Sequence, residues 1–178
     1  IQLTDNIRGS DDYLKLNRGI NVVIDLNGCT IDRNCTSNKG SDGHVIQIEN
    51  GSLTINDSST GNAGKITGGY ANNGGGIYIK EDATVTINGG TITTNHADTD
   101  GGAIYCKGTL IMTGGVIQNN TAGDTAGAIY AADENSRIDI RNASINNNTS
   151  ENKGGAFNLH ISNDSVLDNC TIENNTST

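Results

Sequence analysis

Gly74-Gly75-Gly76-Ile77-Tyr78, Gly101-Gly102-Ala103-Ile104-Tyr105, Ala126-Gly127-Ala128-Ile129-Tyr130 and Gly154-Gly155-Ala156-Phe157-Asn158 are four openings of one repeat, spaced 27, 25 and 28 residues apart. Each is followed by an alternating apolar pair: Val85/Ile87, Leu110/Met112, Ile138/Ile140 and, less regularly, Val166/Leu167. A lone Ile comes next, at 92, 117, 145 or 172, and three residues beyond it stands Asn95, Asn120, Asn148 or Asn175. Two looser units lie upstream: Leu14/Leu16, Ile24/Leu26, Ile31 and Asn34, then Ile46/Ile48, Leu53/Ile55 and Ile66, with 56–64 inserted before the third strand.

Self-similarity at a fixed period marks a repeat architecture. Three short period-2 strands per unit cannot form a flat sheet, because one unit supplies only about five inward side chains. Winding the units into a coil pairs each strand with its counterpart about 4.8 Å along the axis and stacks like side chains in columns. The reading is all-β: a right-handed parallel β-helix of about six coils of three short strands, a rod roughly 30 Å long. It forms one domain over 1–178, with looser coils over 1–73 and regular repeats over 74–178. Neither the leucine-rich consensus nor a strict six-residue period is present.

Composition agrees. The chain is 33% apolar with one Phe and no Trp, too lean for a thick core but sufficient for a thin interior of small aliphatics. Proline is absent, as expected where nearly every N–H enters a ladder, and 24 glycines with abundant asparagine supply the turns. A net charge of −9 argues against nucleic acid and anionic membranes as partners. No signal peptide, bilayer-length apolar run or initiating Met is visible, so the segment reads as soluble and processed or excerpted, without membrane insertion.

The Gly-Gly-Ala-Ile openings with the later Ile-x-x-Asn resemble the paired GGAI and FxxN repeats of chlamydial-type polymorphic outer membrane proteins. Ile24-Asp25-Leu26-Asn27-Gly28-Cys29-Thr30-Ile31 resembles a coil of pectate-lyase-like β-helix surface proteins. The likeness covers 74–178 well and 14–56 loosely. It departs in having Ile where the second motif has Phe, and in lacking an outer-membrane barrel. It implies a passenger-like fold at a cell surface.

Candidate site residues follow from the columns. Asn95, Asn120, Asn148 and Asn175, with Asn34, should turn inward and hydrogen-bond amide to amide along the stack. Tyr78, Tyr105 and Tyr130 face outward in three consecutive coils, giving either plain cross-strand stacking or a platform for sugar rings. Asp98, Asp100, Asp124 and Glu151 lie in loops of neighbouring layers. Solvated loop charge is the favoured reading there, with Ca²⁺ as the alternative and otherwise no cofactor. Asp11-Asp12, Asp42-Gly43-His44 and Asp98-Thr99-Asp100 faintly echo polysaccharide-cleaving sites of this fold, but in the wrong order and on different coils. His44, His96 and His160 also fall on separate coils, so spacing alone assembles no His–carboxylate pair.

Among the cysteines, Cys106 aligns with Ile79, Ala131 and Leu159, a buried position. Cys29 and Cys170 share a column about 24 Å apart, beyond disulfide reach. Cys29 and Cys35 alone are near enough in sequence to bridge, and spacing leaves that pairing open. The expected function is a non-enzymatic structural or adhesive solenoid of an extracellular, cell-surface or secreted protein. The alternative is a carbohydrate-binding or polysaccharide-processing module using the tyrosines, with glycans or a host surface as ligands. No capping helix precedes Ile1 and the chain stops within a repeat turn, so flanking coils, or copies stacked end to end into a filament, are the expected partners.

Overall fold

The computed structural model describes residues 1–9, 12–161 and 164–178; Asp11, named above, lies outside them. The chain is an all-β parallel solenoid of about six turns. The first ladder runs from Leu14–Leu16 through the front halves of Ile46–Asn56 and Ile77–Ile87 to Ile104–Cys106, Ile129–Ala132 and Phe157–His160. The second runs from Asn21–Asp25 through the rear halves of the same two long strands to Thr109–Met112, Arg137–Arg141 and Val166–Asp168. The third links Ile7–Arg8, Thr30–Asp32, Lys65–Thr67, Thr91–Thr93, Val116–Gln118, Ser144–Asn146 and Thr171–Glu173. Among the described residues no helix is long and apolar enough to cross a membrane.

A fourth ladder joins the three expected ones: Tyr70–Ala71, His96–Ala97, Thr121–Ala122, Thr149–Ser150 and Thr176–Ser177. This short ladder explains the glycines that open each repeat. A Cβ on Gly102 would stand 2.4 Å from the Thr121 oxygen and 2.5 Å from that of Gly127. On Gly127 it would stand 2.4 Å from the Thr149 nitrogen and 2.5 Å from the Gly155 oxygen. Backbone passes so closely over backbone here that only hydrogen fits.

The columns fill the interior as expected. Ile104, Ile117, Ile129, Ile140, Ile145 and Cys106 are fully buried. In the first turn the second ladder uses Val22 and Ile24 opposite Leu53 and Ile55, two residues earlier than the sequence pattern suggested. A slip of two preserves the inward face, so the pattern alone cannot detect it. In the last turn Leu167, not Val166, takes the inward place opposite Ile140. Burial fades there: Leu167 is 47% and Ile172 44% exposed.

The asparagine column is wired identically from turn to turn. Asn120 Oδ1 accepts from the Asn95 backbone N–H at 3.0 Å and from Asn95 Nδ2 at 3.1 Å. Its Nδ2 donates to the oxygens of Ile92 and Gln118 and to Asn148 Oδ1, each at 3.0 Å. Asn148 stands in the same relation to Asn175. Asn34 lies off the column: it adopts φ +52°, and its Oδ1 accepts from Arg8 at 2.6 Å. The 56–64 insertion is held by Asp57, which accepts from the N–H groups of Gly28 (2.9 Å), Ser59 (3.2 Å) and Gly64 (2.8 Å) and from the Ser59 hydroxyl (2.7 Å). Partial burial raises the Asp57 carboxyl, but these bonds outweigh it and hold the group below the usual carboxylate range.

Cys29 and Cys35 are both free thiols, so the bridge left open by their spacing is not made. The extended strand Thr30–Asp32 lies between them. Their sulfurs face different carbonyls, Cys29 Sγ 3.9 Å from the Asn27 oxygen and Cys35 Sγ 3.9 Å from the Gly43 oxygen.

Candidate functional site

Parallel, in-register pairing puts Tyr78, Tyr105 and Tyr130 in one outward column of the first ladder. Their ring centroids are 5.0 and 5.3 Å apart and their planes differ by 16° and 20°. This is offset stacking, set by the strand spacing. The faces of the middle rings therefore cover one another, and edges and hydroxyls are what reach solvent, an unsuitable platform for a sugar that stacks face-on. Burial pushes the Tyr105 hydroxyl up to about 12, with the flanking Tyr78 and Tyr130 and then Asp100 adding to it.

The stripe extends beyond these three residues. His44 lies 5.0 Å from Tyr78, tilted 47°; Tyr13 lies 6.1 Å from His44, turned 81°; and His160 lies 6.3 Å from Tyr130. Sequence reasoning missed them because Lys15, Gln47 and Asn158 occupy the tyrosine register in those turns.

At the Tyr13 end the surface opens into a cleft of about 350 Å³ lined by Tyr13, Lys15, Ser41, Asp42, His44, Gln47, Glu49, Asn72, Asn73, Tyr78 and Lys80. A second cleft of about 290 Å³ shares Glu49, Tyr78 and Lys80 and adds Glu81, Asp82 and Lys107. Glu49 is the hub. Its Oε1 accepts from Lys80 at 2.9 Å, Lys15 at 3.1 Å and Gln47 at 3.3 Å. The Lys80 bond, then the Lys15 bond, holds the Glu49 carboxyl below its ordinary range. The Tyr13 hydroxyl donates to Asp42 at 3.2 Å, and Lys107 pairs with Glu81 at 3.3 Å. His44 is buried, with Nδ1 2.8 Å from the Gly74 oxygen. A carbonyl only accepts, so Nδ1 carries the proton. Burial lowers the pKa of this imidazole, which is neutral at pH 7 with its acceptor at Nε2.

On another side of the rod the structure assembles a His–carboxylate pair that spacing did not reveal. His96 Nε2 lies 3.2 Å from Asp98 Oδ1 and His96 Nδ1 lies 2.6 Å from the Thr121 hydroxyl. Tyr70 stands edge-on to His96 at 4.4 Å, and Asn38 also donates to Asp98. A signal existed: His96 and Thr121 each follow a ladder asparagine by one residue, so the repeat stacks them. The order hydroxyl, imidazole, carboxylate is that of nucleophilic catalysis, but an oxyanion needs open N–H donors beside the hydroxyl. The Thr121 N–H already donates to Asn95 at 3.0 Å and the Gly123 N–H to Ala97 at 2.8 Å. The relay ties adjacent turns together.

The four loop carboxylates have separate surroundings. Asp98 belongs to the relay. Asp100, half-buried beside Thr125, has its carboxyl raised by burial and by the nearby Asp124 charge. Asp124 accepts from Asn152 Nδ2 at 2.8 Å, and Glu151 is exposed. Among the described residues no three His, Cys, Asp or Glu side chains converge as a metal-holding group. No protein-family model matches the chain, and comparison with the curated proteins and with the solved structures returns no match.

Proposed function

We propose that the chain is a non-enzymatic β-solenoid of an extracellular protein, cell-surface or secreted, working as a structural or adhesive rod. The carrying observation is the repetition of one turn-to-turn interface, with the same Ile columns and amide wiring from Asn95 to Asn175. Such an interface stiffens a rod and is indifferent to surface chemistry. The exposed inward column of the last turn, Leu167 and Ile172, supports stacking against further coils or a copy of the chain, a contact that repeats into a filament. Incubation with polygalacturonate, xylan and mannan, following new reducing ends and unsaturated uronic acid, tests the non-enzymatic part. No turnover is expected, and turnover abolished by Asp98→Asn would overturn it. Retention on plates coated with polysaccharide or mucin tests the adhesive part. A second reading, a carbohydrate-binding module, is favoured by the polar clefts around Glu49 and Tyr78.

A further inference from the structure

We infer that the two clefts joined at Tyr78 form one groove for a linear, neutral oligosaccharide, and that polyanionic uronates are excluded from it. The inference rests on the adhesive reading and names its ligand class.

The groove follows the rod axis. Tyr13 and Lys15 lie in the first turn, Gln47 and Glu49 in the second, Tyr78 and Lys80 in the third and Lys107 in the fourth. Three steps of about 4.8 Å give roughly 14 Å of continuous lining, which suits a chain better than a single sugar. The lining combines carboxylates, amides and ammonium groups, the complement of vicinal hydroxyls that both donate and accept, with the rings of Tyr13, His44 and Tyr78. Glu49 takes all three of its donors on Oε1, so Oε2 is left to accept from a ligand hydroxyl. At this end the aromatic stripe turns: Tyr13 stands 81° from His44, so ring surface that mutual stacking covers in the middle of the stripe is presented here at a new angle.

Charge selects the class. Lys15, Lys80 and Lys107 line the groove together with Asp42, Glu49, Glu81 and Asp82. Each lysine is already ion-paired, two to Glu49 and one to Glu81. Lys15 and Lys80 share the one Glu49 charge, but the lining as a whole sets four carboxylates against three ammonium groups, and the chain carries −9. A polyuronate meets net repulsion from the groove and from the chain, whereas a neutral glycan meets preorganised hydrogen-bonding groups.

The test is a titration of ring-labelled tyrosines by NMR with linear hexasaccharides of glucose, mannose and xylose, with hexagalacturonate, and with a neutral Gly/Ser hexapeptide. Tyr13 and Tyr78 signals should shift with a neutral hexasaccharide while Tyr130 stays still, with affinity at least about tenfold above that for hexagalacturonate. Glu49→Gln removes the charge that Lys15 and Lys80 share. It should weaken neutral binding about tenfold, the scale of one charge-assisted hydrogen bond, and strengthen hexagalacturonate binding. Tyr13→Ala, with unchanged melting, should weaken neutral binding and leave charge preference alone. Equal or tighter binding of hexagalacturonate or the peptide to the parent chain, or shifts at Tyr130 without Tyr13, would overturn the inference. If no hexasaccharide binds while the chain still adheres to coated plates, the groove assignment falls and the adhesive reading stands; if adhesion is absent too, both fall.

Discussion

Replacing Asn120 by Ala tests the idea that the asparagine column carries the turn-to-turn interface. The substitution removes two bonds accepted by Oδ1 and the two N–H donors of Nδ2, which are shared among three acceptors. At about 1 kcal/mol net for each of these four the loss is about 4 kcal/mol. A lower bound comes from the one donor with no substitute acceptor, the buried Asn95 N–H, whose orphaning costs about 1–3 kcal/mol. We expect a loss of about 3–5 kcal/mol, or a melting temperature lower by roughly 6–20 °C for a chain of this size. Asn175→Ala alters the same column at its half-exposed end, where water replaces the lost partners, and should cost about 1 kcal/mol. Urea unfolding followed by far-ultraviolet circular dichroism measures both. Equal losses, or less than about 1 kcal/mol for Asn120→Ala, would refute the argument. Asn120→Asp adds a pH signature. Its second oxygen would face Ile92, Gln118 and Asn148 oxygens that only accept, so the acid fits only when protonated and its folded pKa is raised. Stability is then fully present below the unfolded carboxyl value and lost as pH rises through the folded one, so the gap to the parent widens with pH.

Further expectations follow from other positions. Burial pushes the Cys106 thiol up to about 12, so a bulky thiol reagent should leave it unmodified in the native chain and label it in denaturant; rapid native labelling would show the strand faces reversed. The Tyr105 hydroxyl, raised from 10.0 to about 12, should ionise last in an alkaline absorbance titration, and that step should vanish in Tyr105→Phe; the raised folded value also means stability is lost as pH climbs through this range. Ala126 adopts φ +60° at the repeat position where Gly74, Gly101 and Gly154 also have positive φ, so Ala126→Gly should stabilise the chain by about 0.5–1 kcal/mol in thermal unfolding, after the glycine's greater unfolded entropy is subtracted. Asp57→Ala should open 57–64 to proteolysis; because the Asp57 carboxyl is held low, its contribution is present above the unfolded carboxyl value and lost as pH falls through the folded one, so acid should expose the same segment.

The turns were legible because their apolar positions repeat with fixed offsets, and in-register stacking turns an offset into a column. Cys106 was readable as buried for the same reason, since Ile79 and Ala131 share its place. The fourth ladder was not legible: His96–Ala97 and Thr121–Ala122 are two residues long, too short for a period-2 signal. Asn34 was misplaced because it matches the offset from Ile31 yet takes up a left-handed turn. The polar groove was invisible because the one column it draws on, Lys15, Gln47 and Tyr78, carries a different side chain in each turn. Tyr13 and His44 reach it from outside the ladders, and Asn72 and Asn73 from a connecting segment. Column logic finds what repeats, while the groove is built from what does not.

The glycine crossing has an evolutionary consequence. Gly75, Gly102, Gly127 and Gly155 each sit under backbone of the following turn at nearly the same distances, so the regular turns from residue 74 on are docked by one repeated steric fit. A junction that is the same throughout the regular repeats has no memory of where among them it lies. Unequal crossing-over between repeats would therefore add or remove whole turns without inventing a new contact, whereas a one-residue indel inside a strand would misalign every column beyond it. Rod length in such a protein is free to drift by duplication, and surface features such as the groove travel with the particular turns that encode them.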